Sequence, residues 1–482
     1  MDNAGAVNAV DLYVSPSGSD TNSGTLAAPF YKISKAVPLA APGDTVWVRG
    51  GTYLYTNTIT ITNSGAPGAP IRLWAFTNEH PVIDFSGMSD ADTNRGFLLK
   101  TNESYWHFKG LEIYRAGDNG MKVEGSCNII EFCSFHHNHD TGLQMGLGDG
   151  DENDGTVVAS NLVLNCDSYL NYDPRHSGGN ADGFACKLSP GQSNVFKGCR
   201  SWENSDDGWD LFKSNYQIIL EDCWTFHNGD PASFGAASAG NAEGFKLGGD
   251  SSFGAPHIAR RCIAFNNRYG GSSAGRAFHQ NDNSQGITVL NCLSFSNNYN
   301  YSLNNDISES HVMKNNVGFD GITKNVATNS TTIQFNNSWN LTNLTANAAD
   351  YLDLTETSAK AARQADGSLP NNNFGRLVAG SDLIDKGVPV GLPYNGAAPD
   401  LGAIEFVSEP LRLDAAQSGW TNGGFRLWLN GLAGPATVIL QASTDLRTWT
   451  AITTNAGANG TVQLLDATAS NYTHRFYRCE QR

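Results

Sequence analysis

The sequence is poor in charged residues and has no long apolar run. Asp, Glu, Lys and Arg make up only 16% of the 482 residues, whereas glycine occurs 52 times. This composition is more typical of a turn-rich, all-β protein than of a helical one. Because no stretch of about 18 consecutive apolar residues occurs, we expect no transmembrane helix.

Positive charge is scarce as well. Lys and Arg number 31 against 47 Asp and Glu, so the formal net charge is −16. Such a surface repels nucleic acid and anionic membranes, and neither is an expected partner. An acidic substrate would need a bound cation, or a local group of Arg and Lys, to be held against this charge.

Residues 1–5 contain neither the basic region nor the apolar region of a secretory leader. Two interpretations stay open, namely a cytoplasmic protein and a secreted or periplasmic protein whose signal peptide has been removed. The function inferred below favours the second interpretation. We expect a monomer.

The sequence has nine cysteines but no CxxC pair, and most of the cysteines mark an internal repeat. The repeat reads Cys, any residue, usually a small residue, usually an aromatic residue, any residue, Asn. Its copies begin at Cys133, Cys166, Cys199, Cys223, Cys262 and Cys292. The matching asparagines are Asn138, Asn171, Asn204, Asn228, Asn267 and Asn297. The interval between copies varies from 24 residues (Cys199 to Cys223) to 39 residues (Cys223 to Cys262).

This variable interval favours a β-solenoid over a helical repeat array, because a solenoid lets extra residues leave as loops between strands. Stacked coils lie about 4.8 Å apart, so equivalent residues form ladders. An Asn at a turn can satisfy backbone groups of the neighbouring coil. Cys suits a small buried slot as a free thiol, which we favour over a disulfide or a metal site.

The two ends of the chain differ from this repeat. Residues 33–39 predict a short amphipathic helix that covers the open end of the solenoid, and residues 46–48 and 59–62 predict strands. The segment DLGAIEF at residues 400–406 ends the repeat region, and the sequence beyond it alternates like a small β-sandwich. We therefore divide the chain into a β-helix with an N-terminal cap (1–406) and a C-terminal β-sandwich module (407–482), which could be a spacer or a sugar-binding module.

A second pattern aligns five coils on one apolar residue each. Strand alternation places these residues inside the solenoid: Leu143, Phe184, Trp209, Phe245 and Phe278. The residues that follow them face outward: Gln144, Ala185, Asp210, Lys246 and His279. The residues two positions before them are Thr141, Asp182, Asp207, Glu243 and Arg276. The alignment thus predicts one outer face where four carboxylates converge: Asp182, Asp206, Asp207 and Asp210.

Four carboxylates in two neighbouring coils repel one another, so a cation is expected among them. An all-oxygen ligand set without His or Cys suits Ca²⁺ and argues against zinc or copper. The competing interpretation is that the Asp-Gly pairs are ordinary turn residues. Lys246, one coil beyond Asp210, favours a functional site. Arg276 lies one coil further.

Three segments carry a resemblance to a known family: NADGFACKL (180–188), NSDDGWDLF (204–212) and AEGFKLGGD (242–250). They resemble the motifs of polysaccharide lyase family nine, the pectate lyases with a ten-coil right-handed parallel β-helix, and the resemblance runs from about residue 11 to 406. It implies that Asp182, Asp206, Asp207 and Asp210 hold a catalytic Ca²⁺ and that Lys246 is the catalytic base. The implied substrate is galacturonan, the acidic polysaccharide of pectin in plant cell walls.

The implied reaction is a β-elimination. The C5 proton of galacturonate lies α to a carboxylate, and Ca²⁺ at that carboxylate would stabilise the developing negative charge. A neutral amine must take the proton, and a nearby Ca²⁺ would lower the pKa of a lysine from its usual value of about 10.4. Without metal, we expect Lys246 to form an ion pair with Asp210. Arg276 is the candidate clamp for a substrate carboxylate, while Lys187 and Lys213 are rival bases outside the outward column.

Several alternatives stay open. The enzyme could act on homogalacturonan or rhamnogalacturonan, from chain interiors or chain ends, and the loops 175–180 and 229–241 would decide this. A polygalacturonase-type hydrolase would use acidic pairs around a water, but the Gly-His-Gly and Arg-Ile-Lys segments of that class do not occur. A non-enzymatic adhesion β-helix stabilised by calcium is the third alternative.

Overall fold

The computed structural model describes residues 9–151, 153–268, 274–305, 307, 309–407 and 412–481. Within them, three parallel sheets form a β-helix, as the sequence predicts. Each coil adds a strand to sheet 1, then to sheet 2, then to sheet 3. Residues 1–5, where the sequence lacks the features of a secretory leader, lie outside the described residues.

The strands of each sheet follow one another in chain order. Sheet 1 has twelve: Asp11–Val14, Thr45–Val48, Ile71–Ala75, Trp106–Lys109, Ile129–Glu131, Leu162–Leu164, Asn194–Lys197, Ile218–Glu221, Ile258–Arg260, Thr288–Leu290, Val312–Lys314 and Ile333–Phe335. Sheet 2 has ten: Gly51–Leu54, Pro81–Asp84, Glu112–Tyr114, Ser134–His136, Asp167–Tyr169, Arg200–Trp202, Trp224–Phe226, Ile263–Phe265, Leu293–Phe295 and Val317–Phe319. Sheet 3 also has ten: Ile59–Ile61, Phe97–Leu99, Met121–Val123, Leu143–Met145, Phe184–Cys186, Trp209–Asp210, Phe245–Lys246, Arg276–His279, Tyr299–Leu303 and Lys324–Thr328.

The remaining elements lie at the ends of the chain and in loops. The α-helices are Ile33–Ala36 and Glu356–Ala359, and the 3-10 helices are Val37–Leu39, Pro231–Phe234, Ala348–Asp350 and Ala469–Asn471. The predicted C-terminal β module is present as a four-stranded antiparallel sheet of Arg412–Thr421, Gly424–Ser443, Thr450–Asp466 and Phe476–Gln481. Across the described residues, no helix has both the length and the apolar character needed to span a membrane.

The short helix predicted for residues 33–39 lies near the start of the β-helix. The helix Ile33–Ala36 continues as the 3-10 turn Val37–Leu39, and it contacts the first strands of sheets 1 and 3. Its side chains at Ile33 and Ala36 are buried in the main core. The helix thus packs on the edge strands Asp11–Val14 of sheet 1 and Ile59–Ile61 of sheet 3, which hinders their pairing with another chain.

The repeat asparagines form the predicted ladder. The side-chain oxygen of Asn171 accepts from the backbone and side-chain nitrogens of Asn138 at 3.1 and 2.9 Å, and Asn204 serves Asn171 in the same way. The contacts continue through Asn228 to Asn267. Each asparagine thus satisfies buried polar groups of the preceding coil, which a turn inside a stacked solenoid requires.

The cysteines are free thiols, as predicted. The six repeat cysteines are buried, and the backbone amide of Cys133 lies 3.4 Å from the Sγ of Cys166. The sequence reasoning missed a second ladder at the beginning of the strands of sheet 1, where Asn128, Asn161 and Asn194 make the same contacts.

Replacing one rung of the first ladder is expected to destabilise the β-helix. Asn171→Ala leaves the buried backbone amide and side chain of Asn138 without their acceptor, and an unsatisfied buried group costs about 1–3 kcal/mol. We expect a loss of about 3 kcal/mol in the free energy of unfolding, measured by denaturant titration. The control Asn57→Ala, at an exposed turn whose side chain contacts only Thr56, should leave the midpoint unchanged. Equal midpoints for the two variants would contradict a role for the ladder in stability.

The segment after the last coil returns along the outer face of sheet 2. Its residues Tyr351, Phe374 and Leu377 join a second core with aromatic residues of that sheet, such as Phe226 and Phe265. This segment therefore packs as part of the β-helix. By contrast, the C-terminal sheet has its own small core of Leu427, Leu429, Val438, Leu440 and Leu464.

Candidate active site

Sheet 3 has the register that the sequence alignment predicts. Trp209 pairs with Phe184 and Phe245, and the stacked rings are 5.0 Å apart on both sides. Asp210 therefore lies beside Lys246 on the outer face. Ala185 of the preceding coil lies on the other side of Asp210, and His279 of the following coil lies on the other side of Lys246. The alternation of a parallel strand brings these residues together although 36 positions separate Asp210 from Lys246 in the chain.

Three of the four predicted aspartates form a tight cluster. Oxygens of Asp182, Asp207 and Asp210 lie within 4.8 Å of one another, and all three side chains are buried. Burial of three carboxylates in one place is costly unless cations accompany them. Two lysines lie among them.

Lys246 is one of these lysines. Its Nζ is 3.0 Å from Asp207 Oδ2 and 3.4 Å from Asp210 Oδ2, and the residue is 9% exposed. The expected ion pair with Asp210 is present, but Asp207 is the nearer partner. The ring of Phe212 lies 5.8 Å from the same nitrogen.

Lys187 is the second lysine, and the sequence reasoning placed it outside the site. Its Nζ is 2.6 Å from Asp182 Oδ2 and 3.1 Å from Asp210 Oδ2. The signal that would have found it is the alternation along its own coil, because Lys187 follows Ala185 by two positions and faces the same way. Lys213, the other rival base, forms ion pairs with Asp149 and Asp250 instead.

Asp206 is not one of the three carboxylates that lie within 4.8 Å of one another. Its two oxygens accept from the backbone amides of Asn180 at 2.9 Å and Asn241 at 2.5 Å. These amides belong to the loops 175–180 and 229–241, which also meet where Ser238 Oγ donates to Ser177 O. In this arrangement Asp206 holds two loops beside the cluster.

Charge and burial shift the ionisation of the cluster in opposite directions. Burial raises the pKa of Asp182 to about 8, although Lys187 opposes the shift. Burial also acts to raise the pKa of Asp210, but Lys246 and Lys187 outweigh it and hold this pKa below its usual value. For Lys246, burial acts to lower the pKa, yet Asp207 and Asp210 outweigh it and hold the pKa well above its ordinary value. Without a metal, Lys246 is therefore a charged ion-pair partner, which cannot accept a proton.

Arg276 does not reach the cluster directly. Its Nη1 lies 3.0 Å from Glu243 Oε1, while His279 Nδ1 lies 3.2 Å from Glu243 Oε2. The side chain of Arg276 remains 24% exposed. Glu243, in the same coil as Lys246, thus contacts both Arg276 and His279 of the next coil.

The donor set fits a hard divalent cation. Asp182, Asp207 and Asp210 offer only carboxylate oxygens, which is the chemistry that Ca²⁺ prefers. When all three are ionised, their negative charge exceeds the charge of Lys187 and Lys246 by one, so a cation bound there would favour the ionised form of each carboxylate.

Comparison with known proteins agrees with the fold. A family model described as "Pel9A-like, right handed beta helix region" matches residues 12–316, a range that includes the aspartates and both lysines. Pectate lyase L of Dickeya chrysanthemi is 38% identical over 402 residues, which cover 82% of this chain and 90% of that protein.

Two solved structures are similar over most of the chain. The crystal structure of pectate lyase Pel9A aligns with a TM-score of 0.73 at 37% identity, covering 83% of this chain and 98% of the other. A structure titled rhamnogalacturonan lyase aligns with a TM-score of 0.65 at 26% identity, covering 76% of this chain and 96% of the other. These similarities confirm the right-handed parallel β-helix.

Proposed function

Since the chain belongs to the Pel9A-like family of right-handed β-helix proteins and is a pectate lyase, we propose that it cleaves galacturonan by calcium-assisted β-elimination with Lys246 as the base. The observation that supports this most is the position of Lys246. Its amine lies on the outer face of sheet 3, within 3.4 Å of two buried carboxylates. A buried lysine beside a candidate metal site is a typical arrangement for a tuned base.

In the proposed elimination, Lys246 abstracts the proton. Its neutral amine takes the proton from C5 of a galacturonate residue, the electron pair of that C–H bond forms the C4–C5 double bond, and the bond from C4 to the glycosidic oxygen breaks. The leaving oxygen gains a proton from water, so atoms and charge balance. When bound, Ca²⁺ supplies positive charge that stabilises the substrate carboxylate and disfavours the protonated form of Lys246.

The other residues of the cluster position the reacting groups. Asp182, Asp206, Asp207 and Asp210 are the proposed calcium ligands. Of these four, Asp206 would have to give up one of its two backbone contacts, or offer a further lone pair, to bind the metal.

Two cations complete the proposed site. Lys187 fixes the carboxylates of Asp182 and Asp210 by ion pairs and so limits where a cation can bind. Arg276 pairs with Glu243 and remains 24% exposed. We propose that it contacts a substrate carboxylate, for which a guanidinium is well suited.

The product identifies the reaction. With polygalacturonate and Ca²⁺, we expect an unsaturated uronate that absorbs in the near ultraviolet, formed in step with new reducing ends. Rhamnogalacturonan should be tested beside it, because one of the similar structures is titled rhamnogalacturonan lyase. Reducing ends without the absorbing product would indicate a hydrolase, and no cleavage of either polymer would favour a non-enzymatic β-helix.

The same proposal covers the protein's setting. A plant cell-wall polysaccharide is too large to enter a cell, so we propose that the enzyme is secreted or periplasmic and acts as a monomer. We also propose that residues 1–406 are the catalytic unit and residues 407–482 a separate module, since the C-terminal sheet has a core of its own.

A further inference from the structure

A third buried lysine lies on the same face of sheet 3 as Lys246. Lys122 is the middle residue of the strand Met121–Val123, and it pairs in register with Gln144 of the next coil. The column continues through Ala185 and Asp210 to Lys246. Lys122 thus lies four coils from Lys246, or about 19 Å at the strand spacing of parallel sheets.

Lys122 differs from the other buried lysines in having no partner. Lys187 and Lys246 are each paired with carboxylates, whereas no hydrogen bond or ion pair to Lys122 Nζ occurs among the described residues. Lys122 is only 3% exposed. The nearest residue of its column, Gln144, is engaged elsewhere, because its Oε1 accepts from Asn119 at 3.2 Å.

An unpaired buried ammonium is costly to the fold. Burial lowers the pKa of Lys122 to about 8, and the nearby charge of Arg95 adds to this effect, while Glu124 and Asp140 oppose it more weakly. Methionine or leucine at this position would avoid the cost, so the lysine is more simply explained by a ligand that pairs with it. The ligand must be an anion that reaches the outer face of sheet 3.

Charge complementarity identifies the anion as a carboxylate of the substrate. The net charge of the protein is −16, so an acidic chain is attracted only where cations are concentrated. Lys122 and Arg95 bring two cations to this part of sheet 3, and the guanidinium of Arg95 lies 3.4 Å from one carboxylate, that of Asp118. A chain lying along the column toward Lys246 would bring one of its later carboxylates to Lys122.

We propose that Lys122 binds the carboxylate of a uronate residue several sugars away from the bond that is cleaved. This inference rests on the proposed function, since it takes the galacturonan chain to lie along the outer column of sheet 3. It makes Lys122 a residue that selects long chains over short ones. It assigns Lys122 no part in the chemical step.

The test compares two chain lengths. Trigalacturonate and hexagalacturonate are titrated calorimetrically into Lys246→Ala protein with Ca²⁺, with and without the additional change Lys122→Met. We expect Lys122→Met to weaken hexagalacturonate binding about tenfold, the effect of losing one charged contact, and to leave trigalacturonate binding unchanged. In protein that retains Lys246, the same change should raise KM for hexagalacturonate while kcat stays within about twofold.

A matched control is Lys314→Met, at the end of a strand in sheet 1, which should change neither value. Lys122→Met removes a buried charge, so its thermal midpoint should not fall; Lys122→Gln gives a second variant if Lys122→Met does not fold. Unchanged hexagalacturonate binding, or equal weakening of both oligomers, would overturn the proposal. Because binding is measured without turnover, failure of the elimination assay would be a separate result.

Discussion

Lys246→Arg is expected to lower turnover on polygalacturonate by about 10³-fold, which is within the usual contribution of a general base. The guanidinium keeps the positive charge and can keep the ion pairs with Asp207 and Asp210, but it stays protonated and cannot take the C5 proton. The change therefore separates the role of base from the role of ion-pair partner. The measurement is the initial rate of near-ultraviolet absorbance with saturating Ca²⁺.

Lys246→Ala should lose turnover to the same extent while it keeps affinity for substrate, because proton abstraction is needed only in the transition state. Lys213→Arg is the matched control, since Lys213 forms ion pairs with Asp149 and Asp250 outside the cluster. It should retain nearly full activity. A nearly wild-type Lys246→Arg enzyme would instead direct attention to Lys187, whose amine lies among the same aspartates.

Removal of calcium is expected to abolish turnover, and Asp207→Asn is expected to reproduce this loss at ordinary Ca²⁺ concentrations. Asp207 is fully buried, and its Oδ2 lies 3.0 Å from Lys246. Loss of its charge removes one of the clustered carboxylates, so we expect calcium affinity to fall at least about tenfold. Excess Ca²⁺ should restore the chelated wild-type enzyme.

Asp207→Asn retains a side-chain oxygen, which can still accept from the backbone amide of Glu243 as Asp207 Oδ1 does at 2.9 Å. The fold should therefore persist, and circular dichroism should show unchanged β structure. Asp366→Asn, at an exposed turn, is the control. Calcium affinity is measured by calorimetry. Full activity of the wild-type enzyme in excess chelator would contradict the calcium proposal.

The part of the site that follows strand register could be predicted from the sequence. Six coils carry a Cys and an Asn at fixed positions, so equivalent residues of these coils can be aligned without knowing the loops. Because side chains alternate along a strand, that alignment was enough to place Asp210 beside Lys246. Such an arrangement depends only on the register of neighbouring coils, and the repeat predicts that register.

The parts that depend on loops and strand ends could not be predicted in this way. Asp206 lies next to Asp207 in the chain, yet it binds backbone amides of two long loops whose course no repeat defines. Lys187 was placed outside the site because the alignment compared one outward position in each coil, which is Ala185 in this coil, and Lys187 faces the same way two positions later. The contacts of Arg200 with Ala359 and Ala361 were also beyond the sequence, because they join segments about 160 residues apart.

Chemical rescue tests most directly whether the side chain at position 246 accepts the proton. Lys246→Ala shortens the side chain and leaves room beside Asp207 and Asp210 for a small amine. With Ca²⁺ and polygalacturonate, added methylamine or ethylamine should restore formation of the unsaturated product, with a rate that follows the concentration of the free base. Tetramethylammonium, which is charged but cannot accept a proton, should restore nothing. Absence of rescue by any free amine, or equal rescue by tetramethylammonium, would contradict Lys246 as the base.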